Sequence, residues 1–226
     1  FVMGHSLGEY GDLVAAGAMD FRHALEAVSA RGSAMMALEA EDNGGMAAVF
    51  APLEEIEKVL DTIDGYVVVA NINSPAEAVI GGGSEAVASA VVALNEAGFD
   101  AKPLPVSHAF HTAIVAPVSA PLRSVLETMN LQPNALPIIS NVSGELYPMG
   151  PGVEAVMVDL LARQVQEPVQ FVKGLETLYR AGARIFIEMG PKRDLQGMVR
   201  GVFQNRQDVL ALSTNHPRLG DLKSFN

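Results

Sequence analysis

The feature that most constrains this chain is the pentapeptide Gly4-His5-Ser6-Leu7-Gly8, which fits G-x-S-x-G and runs at once into the apolar positions Leu13, Val14 and Ala16, with Gly17 after them. That pattern puts a serine at a tight strand-to-helix turn, with residues 1–3 as the end of a buried strand and a helix starting near Leu7. Small flanking residues suit such a turn because larger side chains would clash with the adjoining strand and helix, and Gly4 and Gly8 supply them. The helix N-terminus then points free N–H groups at the serine, the Leu7 N–H being the natural first donor to an oxyanion. The same five residues also fit a glycine-rich connection with an ordinary capping serine, so the motif alone leaves both open.

Serine is a poor nucleophile at neutral pH and needs a positioned base. The chain has five histidines and no cysteine, which excludes disulfides, thiolate catalysis and cysteine metal sites. His5 adjoins Ser6 and points away from it in an elbow, so packing or a supporting hydrogen bond is its reading. His23 lies in a helix with no motif around it, and His216 reads as a surface residue near the polar end of the chain. His108 and His111 remain, in a loop between a strand and a helix, where functional residues concentrate. No carboxylate or third histidine stands at ligand spacing beside them, so the expectation is a base and no metal.

The order of elements points to a layered α/β core. After a helix over residues 21–40, ended by Gly44-Gly45, come strand Met46–Phe50, helix Leu53–Ile63, strand Tyr66–Asn71, strand Glu77–Gly81, helix Ser84–Ala97 and strand Ala101–Val106. This is the β-α-β-β-α-β order of a ferredoxin-like subdomain. Helix Ala116–Met129, strand Pro137–Asn141, helices Val153–Gln164 and Val169–Ala181, strand Arg184–Glu188 and a helix near Leu195–Phe203 follow. The 226 residues, 49% of them apolar, suffice for a sizeable core. Fifteen Lys and Arg against 26 Asp and Glu leave a net charge of −11, which argues against nucleic acid or anionic membrane surfaces as partners. No apolar run approaches the roughly 18–20 residues of a membrane span and no signal-like segment opens the chain, so it reads as soluble, in the cytoplasm.

GHSLGEY, the downstream Arg31-Gly32, NINSP, SHAFH and RQVQEPVQF together resemble the malonyl-CoA:acyl-carrier-protein transacylases and the acyltransferase domains of type I polyketide and fatty acid synthases, from Phe1 to about Phe203. The resemblance implies an α/β-hydrolase-like core (1–43 and 107–226) carrying an inserted ferredoxin-like subdomain (44–106). It implies Ser6 as nucleophile, His111 as general base and acid, and a backbone carbonyl of Gln164 orienting that histidine. Arg31 is implied to pair with the free carboxylate of a malonyl group, a task that suits a guanidinium's parallel donors. His108 and Phe110, in HAFH, resemble the malonyl-selecting version, bulky Phe110 leaving less room for a 2-methyl group. Asn71 and Asn73 of NINSP are assigned to structure and to lining the cleft.

The implied reaction takes malonyl-CoA as substrate and passes the acyl group to the phosphopantetheine thiol of an acyl carrier protein, with no bound cofactor and with neighbouring synthase domains as further partners. Two departures stand out. The family's GPG-x-x-L turn reads Gly190-Pro191-Lys192-Arg193-Asp194-Leu195, with lysine in place of a glycine. The family also carries a segment ahead of the serine motif, with several core elements and a GQG turn that gives a second oxyanion donor. A chain starting at Phe1 is therefore expected to be a fragment of a longer protein, or one piece completed by a partner segment. A serine esterase of the α/β-hydrolase type and a catalytically incomplete acyltransferase-like module are the competing readings.

Overall fold

The computed structural model describes residues 1–38 and 41–215, and in it the chain is an α/β fold. Helix α1 spans Gly8–Ala15. Helix α2, Phe21–Met36, begins on Asp20, whose carboxylate accepts from the His23 N–H at 2.9 Å. The helix expected to reach residue 40 stops at Met36, and 39–40 lie outside the described residues.

Strand β1 (Gly45–Phe50), α3 (Leu53–Leu60), β2 (Val67–Ser74), β3 (Glu77–Gly82), α4 (Ser84–Glu96) and β4 (Asp100–Pro103) follow in the expected sequence. They form one antiparallel sheet in the order β2-β3-β1-β4. Side-chain alternation divides its faces. Ala47, Val49, Ala78 and Ile80 pack with Ile56 and Leu94 of the two helices, whereas Met46 and Val79 turn the other way, against Ala109 and Phe110 of the histidine loop. Bulges in β2 let it leave the ladder and bond elsewhere: Val169 N–H donates to Ala70 O and Ile72 N–H to Val169 O, both at 2.9 Å. The sheet is thereby fixed against the segment that leads into the C-terminal helices.

The helix expected over 116–129 starts as a 3₁₀ turn, Ala113–Val118, and becomes α-helical only as α5, Ser119–Leu126. Pro117 within the turn lacks an N–H and its ring obstructs the regular ladder, which explains the tighter start. Helix α6 spans Glu154–Gln164. Between α1, α2, α5 and α6 lies a core that includes Leu13, Ala27, Leu122, Leu126, Ile138, Met157 and Leu161. Helix α7 (Phe171–Arg180), β5 (Ile185–Glu188), α8 (Asp194–Val202) and β6 (Leu210–Ser213) complete the described chain. Val169, Phe171, Leu175, Val199 and Phe203 form their shared core. Strand β6 pairs in parallel with β5 from Ile185↔Leu210 to Glu188↔Ser213, an element the sequence reading missed because four residues offer too short a run.

Two expected strands shrink to isolated pairings. Residues 1–3 and 137–141 meet in a single parallel bridge, Val2↔Ile138, with Val2 N–H on Pro137 O at 3.0 Å and Ile139 N–H on Val2 O at 3.2 Å. The turn at Gly4 ends one partner at once, and Pro137 has no N–H to extend the ladder on the other.

The turn before α8 shows the cost of its lysine. Lys192 has φ +69°, a left-handed conformation that costs a non-glycine residue about 1–2 kcal/mol. Lys192→Gly is expected to stabilise the fold by about 0.5–1 kcal/mol, the relieved strain being partly offset by the freer unfolded glycine. An upward shift of the denaturant midpoint at unchanged slope checks this.

Candidate active site

Ser6 and His111 have φ +52° and +60°, and with Lys192 they are the non-glycine residues of positive φ among those described. Such conformations cost about 1–3 kcal/mol each and persist where the surroundings over-determine them. Around Ser6 they do. Its N–H donates to Asn141 Oδ1 at 2.6 Å, its carbonyl accepts from Gln164 Nε2 at 2.9 Å, and Gly4 beside it gives its N–H to Asp12 and accepts at its carbonyl from Asn141 Nδ2 at 2.9 Å. A Cβ on Gly4 would stand 2.2 Å from the Gly8 carbonyl carbon, so only glycine fits there. The matching expectation for Gly8 fails: a Cβ there meets nothing within 4 Å, because this exposed first residue of α1 faces open space while its backbone does the crowding.

The Ser6 hydroxyl lies 2.7 Å from His111 Nε2. On the other side of the ring, Nδ1 is 2.9 Å from Gln164 O and 3.1 Å from Glu167 O. Carbonyl oxygens only accept, so Nδ1 carries the proton and the Nε2 lone pair faces the serine. The Nδ1–H is thus shared between the backbone carbonyl of Gln164 and that of Glu167, the second of which the sequence did not reveal. The His111 N–H bonds Val165 O at 2.9 Å, tying the loop to the end of α6. Burial, and then the positive charge of Arg31, hold His111 down to about 4, so the ring is neutral at pH 7. The capping-serine alternative falls away: Leu7 occupies the cap position of α1, and the Ser6 hydroxyl is turned to the imidazole.

A cavity of about 470 Å³ opens over this pair, lined among others by Leu7, Arg31, Met35, Asn71 and Phe110. Arg31 reaches it from the middle of α2, is 5% exposed, and has Nη2 3.4 Å from the Ser6 hydroxyl. Its Nε has no hydrogen-bond partner, and it forms no ion pair with any described carboxylate. Burial lowers its pKa from the ordinary value, with Tyr10 and Glu9 acting in the opposite sense. A desolvated guanidinium beside a cavity is costly unless an anion completes it. The Leu7 N–H makes no hydrogen bond to another described residue, and so is free for an incoming oxyanion.

The remaining candidates divide. Phe110 lines the cavity, but His108 does not; it is buried behind, its ring 6.0 Å from that of Phe110 and its Nδ1 3.0 Å from the Ser107 hydroxyl. His5 donates Nε2–H to Asn73 Oδ1 at 2.8 Å and packs on Phe171, the supporting part read for it. His23 pairs with Asp20 at 2.8 Å at the start of α2, and His216 lies outside the described residues. Among the described residues no group of three or more His, Cys, Asp or Glu could hold a metal ion. Glu9, Asp12 and Asn141 were missed. The two carboxylates lie just after the motif, Glu9 in the first turn of α1 and Asp12 in the next, and read from sequence as ordinary helix charges.

Chains of the same pattern exist. The acyl transferase domain family matches residues 1–219. The malonyl CoA-acyl carrier protein transacylase of Bacillus subtilis (strain 168) is 35% identical over 218 residues, 94% of this chain and 67% of that protein. Among solved structures, the acyltransferase domain from the second module of the salinomycin polyketide synthase superposes with a TM-score of 0.87 at 31% identity, over 100% of this chain and 51% of that one. A type II polyketide acyl-carrier protein in complex with its malonyl-transacylase gives 0.84 at 31% identity, over 99% of this chain and 71% of that one. With a strained serine at the turn into α1, a histidine within hydrogen-bond distance of it, and sequence and fold both matched over nearly the whole length, the chain belongs to the acyl transferase domain family.

Proposed function

We propose that this chain transfers a malonyl group from malonyl-CoA to the phosphopantetheine thiol of an acyl carrier protein, through an ester on Ser6. The observation that carries the reading is Arg31: a buried guanidinium without a carboxylate partner among the described residues, 3.4 Å from the nucleophile and beside the cavity. An ester hydrolase acting on a neutral acyl chain has no use for that charge. A diacid thioester supplies the missing carboxylate. The names of the Bacillus relative and of the carrier-protein complex support the same substrate and partner.

The steps follow from the geometry. Ser6 Oγ bonds to the thioester carbonyl carbon while its proton passes to His111 Nε2, and the oxyanion takes the Leu7 N–H. Collapse breaks the carbon–sulfur bond, and the imidazolium returns its proton to the departing coenzyme A sulfur. In the second half His111 Nε2 takes the proton of the carrier thiol, the sulfur attacks the ester carbonyl, and as the carbon–oxygen bond breaks the imidazolium gives that proton to Ser6 Oγ, restoring the hydroxyl and the neutral base. The carbonyls of Gln164 and Glu167 hold the imidazole through both halves. Phe110 crowds the cavity where a 2-methyl group would sit, a discrimination of about 1–3 kcal/mol in favour of malonyl.

Among the described residues, 44–106 make a ferredoxin-like subdomain set into a hydrolase-like core formed by those on either side of it. The β2-β3-β1-β4 order and the separate core under α3 and α4 support that division. No helix among the described residues is long and apolar enough to cross a membrane. The test is transfer of radiolabelled malonyl from malonyl-CoA to a holo acyl carrier protein. Label should reach the carrier with the parent and not with Ser6→Ala; ester hydrolysis without transfer would favour the esterase.

A further inference from the structure

Glu9 is fully buried in the first turn of α1 and takes no part in the bond-making steps above. Burying a carboxylate is costly unless both oxygens are bonded. Here they are. Oε1 accepts from the Tyr147 hydroxyl, and Oε2 accepts from Gln164 Nε2 at 2.6 Å and from the Asn141 N–H at 3.2 Å. Every partner is a donor; burial raises the Glu9 carboxyl above its ordinary pKa, and the bonds from Tyr147, Gln164 and Asn141, with Arg31 after them, act in the opposite sense.

Two of these partners hold the nucleophile's turn. Asn141 Oδ1 takes the Ser6 N–H and its Nδ2 bonds Gly4 O. Gln164 Nε2 also bonds Ser6 O, and the Gln164 carbonyl receives the His111 Nδ1–H. Asn141 and Gln164 lie 132 and 155 residues from Glu9 in sequence, so local chain geometry does not set their places. The carboxylate joins the segment that grips the serine backbone to the segment that aims the histidine.

We infer that Glu9 is the positioning residue of this site, locking the Gln164 and Asn141 segments onto the Ser6 turn so that imidazole and hydroxyl meet in line. It touches neither substrate nor reacting atoms. The inference rests on Ser6 and His111 being the reacting pair, and not on malonyl being the group transferred. Connectivity is the essential property: a glutamine at position 9 could offer its carbonyl to Gln164 and Asn141 and its NH₂ to the Tyr147 oxygen, whereas alanine leaves all three donors buried and unpaired.

The experiment compares Glu9→Ala, Glu9→Gln and Gln164→Met in the intact protein. It reads kcat and KM for malonyl-CoA, and the rate at which a fluorophosphonate probe labels Ser6. Glu9→Ala is expected to lower kcat and the probe rate by about 10–100-fold with KM within about threefold, because Arg31 and the cavity stay in place. Glu9→Gln should stay within about threefold of the parent in all three, and Glu9→Ala should cost less in a Gln164→Met background than alone, since the Glu9–Gln164 bond is common to both. Parental kcat in Glu9→Ala, or a loss in Glu9→Gln as large as in Glu9→Ala, overturns the inference. Should Glu9→Ala fail to fold, Glu9→Asp, whose shorter side chain cannot hold all three donors at once, decides: lower kcat and probe rate with KM kept upholds the inference, and parental kcat and probe rate overturn it. A parent labelled by the probe but not by malonyl-CoA contradicts the malonyl reading alone, the probe rates still deciding for Glu9. A parent unreactive to the probe removes the reacting pair, and the inference with it.

Discussion

Replacing His111 by alanine is expected to slow acylation of Ser6 by about 10²–10⁴-fold, the usual contribution of a positioned general base. KM for malonyl-CoA should change little, because Arg31 and the cavity wall survive the substitution. The pH dependence is the more specific consequence. The base works only when neutral, and burial with the Arg31 charge lowers His111 to about 4. Acylation in the parent should therefore be level from about pH 8 down to about pH 5 and fall as pH drops through about 4, whereas an ordinary histidine would already lose half its rate near pH 6.5. Arg31→Ala removes the positive charge that helps hold His111 down, so acetyl loading in that variant should begin to fall at a higher pH than in the parent. Stopped-flow acylation across this range checks both statements.

Arg31→Ala should separate diacid from monoacid substrates. Truncating one partner of a buried, hydrogen-bonded charge pair costs about 2–5 kcal/mol, which corresponds to roughly 30- to several-thousand-fold in malonyl loading. Acetyl-CoA presents no carboxylate, so its loading should be unchanged or improved as the unpaired buried charge disappears. Arg31→Lys should recover only part of the malonyl rate, because an ammonium on a flexible stem cannot reproduce two parallel donors. The measurement is kcat/KM for both thioesters in parent and variants. Equal losses for malonyl and acetyl would contradict the role assigned to Arg31.

Much of the site was legible because its chemistry sits in short motifs. Ser6, Arg31, His111 and Gln164 were each singled out, and the structure brings the first three to one cavity with the Gln164 carbonyl behind the imidazole. What escaped depends on distance in sequence. Asn141 grips Ser6 from 135 positions away, and Glu9 becomes a buried hub only when Tyr147, Asn141 and Gln164 close around it. The βαββαβ order was readable because its strands are short apolar runs bounded by Gly or Pro and separated by two helical patterns. The pairings of Val2, Ile138 and β6 were harder, since a strand reduced to one bridge or four residues leaves almost no periodic signal. Gly8 shows a motif position whose steric reason lay in its neighbour. It is Gly4 that cannot carry a side chain, and the backbone of Gly8 is what it would strike.

The most direct measurement is the intact mass of the protein after brief exposure to malonyl-CoA, followed by peptide mapping of the adduct. One malonyl group on Ser6, absent from Ser6→Ala and discharged when a holo acyl carrier protein is added, is the predicted result. A protein that remains unmodified, or that carries the malonyl group on any residue other than Ser6, would contradict it.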